Sequence, residues 1–192
     1  LSPIFNAIGT NLYHMTTTQV SLHIVWAFVV AAVVGTCSGM IIRRIGIKAG
    51  LVTAGTLMFV GWTGAAFCIN AGFVVLTLWA CVFYAGCGMM YSPIVSTVLG
   101  TIEKDESGRG VGMNDLAMNV SPSIGIAIIG SLLGSNALGG GSITGATGTA
   151  ANYSNLMLIA GATALLGLIV FFCFRKKIYE GNHAVETEKA AK

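Results

Sequence analysis

Gly39-Met40-Ile41-Ile42-Arg43-Arg44-Ile45-Gly46-Ile47-Lys48 is the most basic stretch of an otherwise apolar region. It lies between two long apolar segments, residues 20–42 and 51–70. Three cations, Arg43, Arg44 and Lys48, fall within six residues of a chain in which only 9 % of residues are charged. A short basic connection between two membrane-length helices belongs on the cytoplasmic side, because cytoplasmic loops carry the excess of Lys and Arg. That placement fixes the orientation of every other loop.

Composition agrees with a membrane protein. The 192 residues are 55 % hydrophobic, and the mean hydropathy is +0.81. There are 26 Gly against 3 Pro, a balance that suits helices packed closely in lipid. Most of the positive charge sits at residues 43–48 and 175–177, so it reads as topology. No basic stripe interleaved with aromatics is present, and no nucleic-acid partner is expected. The five cysteines (Cys37, Cys68, Cys81, Cys87, Cys173) all lie in apolar segments without C-x-x-C or metal-ligand spacing. They read as reduced, small apolar side chains. No metal or cofactor is expected. The chain begins at Leu1 without a signal-peptide pattern, and is read as a piece of a longer chain or a trimmed start.

Taken in order, residues 1–9 are apolar but too short to span, and read as the outer end of a preceding helix. Thr16-Thr17-Thr18-Gln19 fits a capping box, with Thr16 as N-cap. The first span, residues 20–42, is long enough for a hydrocarbon core of about 30 Å. His23 and Trp26 near its start suit an interfacial belt, with a proton relay at His23 as the alternative. Gly35 and Gly39 make a G-x-x-x-G step for a neighbouring backbone. Residues 51–70 form the second span, and the uncharged turn Asn70-Ala71-Gly72 is external. The third span, residues 73–100, becomes polar in its inner half and holds Pro93, expected to kink it. Residues 101–112 carry Glu103, Lys104, Asp105, Glu106 and Arg109 and read as cytoplasmic. Residues 112–134 are the fourth span. The uncharged Gly/Ser/Thr/Ala/Asn stretch 136–152 reads as a flexible external loop. Residues 153–174 are the fifth span, stopped by Arg175-Lys176-Lys177. The division is thus an external segment (1–19), a five-helix transmembrane bundle (20–174) and a charged, disordered cytoplasmic tail (175–192). The N-terminus lies outside and the C-terminus inside. The fold class is all-α, a polytopic membrane helix bundle.

The spacing of Gly39, Arg43-Arg44, Gly46 and Lys48 resembles the G-x-x-x-D-R-x-G-x-R/K loop of the major facilitator superfamily, as it recurs in the second half of those transporters. One position departs: the motif's Asp corresponds to Arg43. Glu106-Ser107-Gly108-Arg109-Gly110 is similar to the E-x-G-x-G run that opens the penultimate helix of fourteen-helix drug/proton antiporters. Gly125-Ile126-Ala127 and Gly130 resemble that helix's G-x-A-x-x-G stretch. Tyr153-Ser154-Asn155-Leu156 and Ile94-Val95-Ser96-Thr97 resemble segments of tetracycline/proton antiporters. The match covers most of residues 14–174. It implies the last five helices of a major facilitator transporter, with no enzymatic activity. In this family the basic loop latches one conformation, so Gly39, Arg43, Arg44, Gly46 and Lys48 are expected to form the gate. Arg44 is expected to meet a neighbouring helix's C-terminal carbonyls or an acidic residue. Tetracycline exporters carry a glutamate near the position of Pro122, and no carboxylate stands there in this chain.

The residues themselves point to the fourth span as the richest in chemistry. Asn114, Asp115, Met118, Asn119, Ser121, Pro122 and Gly125 recur at three- and four-residue spacing and form one stripe. Lipid cannot satisfy such a stripe, so it faces the bundle or a water-filled cavity. Pro122 frees the Met118 carbonyl and bends the helix, with Asn119, Ser121 or water to satisfy the freed group. Two readings of Asp115 stand open. It contacts substrate or couples a proton, or it sits near the interface at the positive start of its helix. Tyr84, Tyr91 and Ser92 on the third span suit a broad pocket for amphipathic ligands, or ordinary helix packing. The expected function is a proton-coupled exporter of small amphipathic compounds in the plasma membrane. Its partners are the lipid bilayer, the remaining helices of the full-length transporter, a small-molecule substrate and protons. The alternatives are a truncated structural or assembly module and a carrier for another small solute.

Overall fold

The computed structural model describes residues 2–102, 106–135 and 137–190, with side chains described through Phe174 except that of Thr101. Six helices follow one another: α1 (Ser2–Asn11), α2 (Thr17–Ile45), α3 (Ile47–Phe67), α4 (Phe73–Thr101), α5 (Ser107–Ser135) and α6 (Thr149–Ala190). Five, α2 to α6, are long and apolar enough to cross a membrane. The all-helical membrane bundle read from the sequence is the fold that forms. The charged residues Glu103, Lys104 and Asp105 fall outside the described residues, as do the side chains of Arg175, Lys176 and Lys177. The backbone of α6 nevertheless continues as helix to Ala190, where the sequence suggests a disordered tail.

Helix ends obey local chemistry. Thr16 caps α2: its hydroxyl accepts from the Gln19 amide, and the Gln19 side chain accepts in turn from the Thr16 amide. Each such bond satisfies a backbone donor that the first helical turn leaves open. The basic stretch is not a loop. Arg43 and Arg44 belong to the last turn of α2, and Lys48 lies in the first turn of α3. Gly46 alone separates the two helices. Its φ of +83° is a conformation that suits glycine and strains other residues. Cations at a helix C-terminus oppose its negative end and favour continuation to Ile45.

The helices stack in the order α2, α4, α3, α6, and among the described residues α5 packs mainly against α4 and α6. Glycines set the spacing. A Cβ placed at Gly88 of α4 would overlap the Ala31 carbonyl oxygen and lie 3.1 Å from the Gly35 amide of α2. One at Gly86 would lie 2.7 Å from the Ala54 carbonyl oxygen of α3. So α4 approaches backbone on both sides, as small residues permit in lipid. Of the G-x-x-x-G pair, Gly35 meets this crossing, while Gly39 has open space beside it.

The core lies at one end. Ile4, Phe5 and Ile8 of α1 are buried with Val20, Ile69, Phe73 and Leu76, and with Leu156 and Met157 of α6. This is the α1 end of the bundle; the Gly46 linker marks the other. Asn152, read from the sequence as loop, belongs to α6 and is buried. The preceding stretch is tied down. The Ser154 hydroxyl donates to the Ala66 carbonyl at 3.0 Å and pairs with Thr144 at 2.7 Å and Ser142 at 3.2 Å.

Candidate functional site

At the Gly46 end the sequence singles out two groups of residues, and the fold joins parts of both. The last turn of α2, the start of α3 and the second half of α4 enclose a cavity of about 800 Å³. Gly39, Arg43, Gly46 and Lys48 line it from the basic stretch, and Ser92 and Ser96 line it from α4. Ser92, expected in a substrate pathway, thus stands with the expected gate. Arg44 does not line the cavity; it is exposed, and among the described residues no ion pair holds it. Successive helical residues point about 100° apart, so Arg43 toward the cavity sends Arg44 away from it.

The aromatic candidates of α4 separate. Tyr84 is half-buried and lies against Phe28 of α2 and Phe83, with ring centroids 4.9 and 5.3 Å apart. Tyr91, seven residues on, is 52 % exposed, beyond that cluster. Pro93 is buried within α4, which runs through it, and its carbonyl accepts from the Thr97 hydroxyl at 2.8 Å.

A second cavity, about 440 Å³, lies among α3, α4 and α6, with Ile129 of α5 at its edge. Met58, Trp62, Phe83, Met90 and Leu168 make it apolar. Its one hydroxyl, on Thr163, bonds to the Ala160 carbonyl of its own helix. The Trp62 and Phe83 rings meet edge-on at 5.2 Å. Sequence reading misses this site. Met58 and Trp62 stand four residues apart, and Phe83 and Met90 seven apart, spacings that mark helix packing just as well.

The polar stripe of α5 is present, and the fold sharpens its reading. The helix begins at Ser107, five residues before the expected start. Asp115 is eight residues further, about 12 Å along the axis. The field of a helix N-terminus fades within the first turn, so it does not account for a carboxylate at that depth. Asp115 and Asn114 are partly exposed; Asn119 and Pro122 are exposed. Asn119 donates to the Asp115 carbonyl at 2.7 Å, not to the carbonyl freed by Pro122, and Ser123 donates to the Asn119 carbonyl at 2.9 Å. Asn114 points its amide at the Met118 sulfur, 3.7 Å away. None of these side chains lines either cavity, and α5 has no buried residue. The stripe therefore shares neither cavity with Ser92.

The α1 end carries a polar latch that sequence reading also misses. Tyr13 donates to the Ile69 carbonyl at 2.6 Å and accepts from the Gly72 amide at 3.2 Å, fastening the α3–α4 turn. Tyr153 accepts from Asn11 at 3.0 Å, and Asn155 donates to the carbonyls of Leu138 and Gly141 at 2.9 and 2.8 Å. Three consecutive polar residues, Tyr153, Ser154 and Asn155, point in three directions around α6 and bind three different elements. That run of hydrogen-bonding side chains at the start of an apolar helix is the signal by which the latch is recognisable.

A family model described as Major Facilitator Superfamily matches residues 1–192. No solved structure matches the chain.

Proposed function

The chain belongs to the major facilitator superfamily, a family of membrane transporters, and on that premise we propose that it supplies most of one half of a proton-coupled exporter of small amphipathic compounds. The observation that carries the reading is α5. It is a membrane-length helix with a carboxylate and two amides on its surface, none of them buried among the described residues. Hydrocarbon cannot satisfy such groups. Remaining helices of the full-length transporter, or water between two halves that rock about a shared site, supply what the stripe needs. A carboxylate there gains or loses a proton as its surroundings alternate between dry and wet.

The apolar cavity supports the substrate class. About 440 Å³ walled by Trp62, Phe83, Met58 and Met90 falls within the range of small-molecule pockets, and flexible methionines let one wall fit several ligands. The resemblance to fourteen-helix drug/proton antiporters points the same way. Orientation follows from the charges: the Gly46 end, with Arg43, Arg44 and Lys48, faces the cytoplasm of a cell whose plasma membrane holds the protein, and the loop before α6 faces outward.

The test is transport by the full-length transporter in proteoliposomes against a panel of amphipathic cations, neutral amphiphiles and polar sugars. The proposal expects gradient-dependent movement of amphiphiles alone. Movement of a polar solute only would assign the chain to a carrier of another class.

A further inference from the structure

We propose that the apolar cavity among α3, α4 and α6 binds an uncharged aromatic molecule carrying one hydrogen-bond donor, such as a phenol or an aromatic secondary amine. The inference rests on the reading of this cavity as a small-molecule pocket and narrows that reading to one chemical class. Three rings, Trp62, Phe83 and Phe171, and two thioethers, Met58 and Met90, line its volume of about 440 Å³. Rings attract a further ring edge-on or offset, and a methionine sulfur gains from an aromatic neighbour. An acyl chain in the same space gains burial alone. No ionisable side chain lines the cavity among the described residues. An ion that entered would lose its water without gaining a counter-charge, a cost that contact with ring faces does not repay.

The hydroxyl of Thr163 sets the ligand's polar end. Its proton goes to the Ala160 carbonyl at 2.7 Å, so its oxygen can only accept. Hydrocarbon offers that oxygen no other donor. Thr163 is exposed, whereas Trp62 and Phe83 are 6 and 8 % exposed. The acceptor therefore stands at the mouth of the cavity and these two rings stand inside, an arrangement that takes an aromatic body first and leaves its donor at the rim. Gly167 makes the room. Thr163, Gly167 and Phe171 follow one another at four-residue spacing and share one face of α6. A Cβ at Gly167 would meet nothing within 4 Å, so a large side chain in the middle of that face would fill the space the ligand needs.

Binding of tritiated N-phenyl-1-naphthylamine to the full-length transporter in phosphatidylcholine nanodiscs, with empty nanodiscs subtracted, tests it. Saturable binding is expected. Thr163→Val keeps the shape and removes the acceptor, so it should weaken binding of the amine by about 2- to 12-fold, the worth of one hydrogen bond. The same variant should bind tritiated 1-phenylnaphthalene, which has no donor, as tightly as the wild type does. Gly167→Phe should abolish binding of both probes; if that variant does not fold, the near-isosteric Thr163→Val carries the test. Equal affinity of wild type and Thr163→Val for the amine would overturn the donor assignment. Binding of trimethyl(1-naphthyl)ammonium as tight as that of the amine would overturn the uncharged class. Undiminished binding in folded Gly167→Phe would overturn the site. Export of amphiphiles without saturable binding here would overturn this inference and leave the transport reading standing, and binding here without export would do the reverse.

Discussion

Substituting Gly88 by alanine tests the packing that sets the bundle. The added methyl would overlap the Ala31 carbonyl oxygen and press on the Gly35 amide at 3.1 Å. Both are backbone atoms of α2, so no side chain can swing aside. Relief requires α2 and α4 to separate along their crossing, and overpacking of this kind costs about 1–3 kcal/mol. Alanine regains about 1 kcal/mol over glycine within a helix. The net expectation is a loss of up to about 2 kcal/mol. Gly39→Ala is the internal control. It lies four residues from Gly35 on the same helix, and a methyl there meets nothing within 4 Å. Only the helical gain remains, so that variant should be stabilised by up to about 1 kcal/mol. The helical gain is common to both, so the two variants should differ by the overpacking cost, about 1–3 kcal/mol, roughly 5- to 160-fold in the folding equilibrium. Reversible unfolding in mixed micelles of increasing dodecyl sulfate content, followed by far-ultraviolet circular dichroism, measures both. Equal midpoints for Gly88→Ala and Gly39→Ala would refute the assigned α2–α4 crossing.

Tyr13→Phe keeps the ring against Phe73 but strips partners from the Ile69 carbonyl and the Gly72 amide; it should cost about 1–2 kcal/mol in the same unfolding measurement. Ser154→Ala removes the hub joining Ala66, Ser142 and Thr144, and proteolysis should then cut the loop before α6 faster than in the wild type. For topology, Ile143 is 90 % exposed. In a cysteine-free background Ile143→Cys should react with an impermeant maleimide from outside and Arg44→Cys only from the cytoplasm, and the reverse pattern would invert the proposed orientation.

Much of the bundle was legible because single-helix signals are local. The Thr16–Gln19 capping box, the membrane-length apolar runs and the turn ending at Gly72 each depend on residues close in sequence, and each formed. The basic stretch misled for a physical reason. Charge shows which side of a membrane a segment occupies, but it does not break a helix, and Arg43 and Arg44 prolong one. Only Gly46, with its positive φ, marks the break. The early start of α5 was hidden by Glu106 and Arg109, which read as loop charge; they form an exposed pair at 3.6 Å three residues apart where that helix begins. The site was legible in parts. The α5 stripe follows from periodicity, but what faces it does not, since periodicity gives a face and not a neighbour. The meeting of Ser92 with Arg43, and of Trp62 with Phe83, depends on which helices adjoin. The close approaches at Gly86 and Gly88 decide that, and no spacing within one helix reveals it.

The proposed proton step falls to the α5 polar face, whose only carboxylate is Asp115. Asp115→Asn keeps the shape and removes the titration. The decisive measurement compares this variant with the wild type of the full-length transporter in proteoliposomes, under an imposed pH gradient, together with equilibrium substrate binding. Gradient-driven export should be lost while binding persists. Export by the Asn variant at the wild-type rate would contradict this expectation and remove Asp115 from the mechanism.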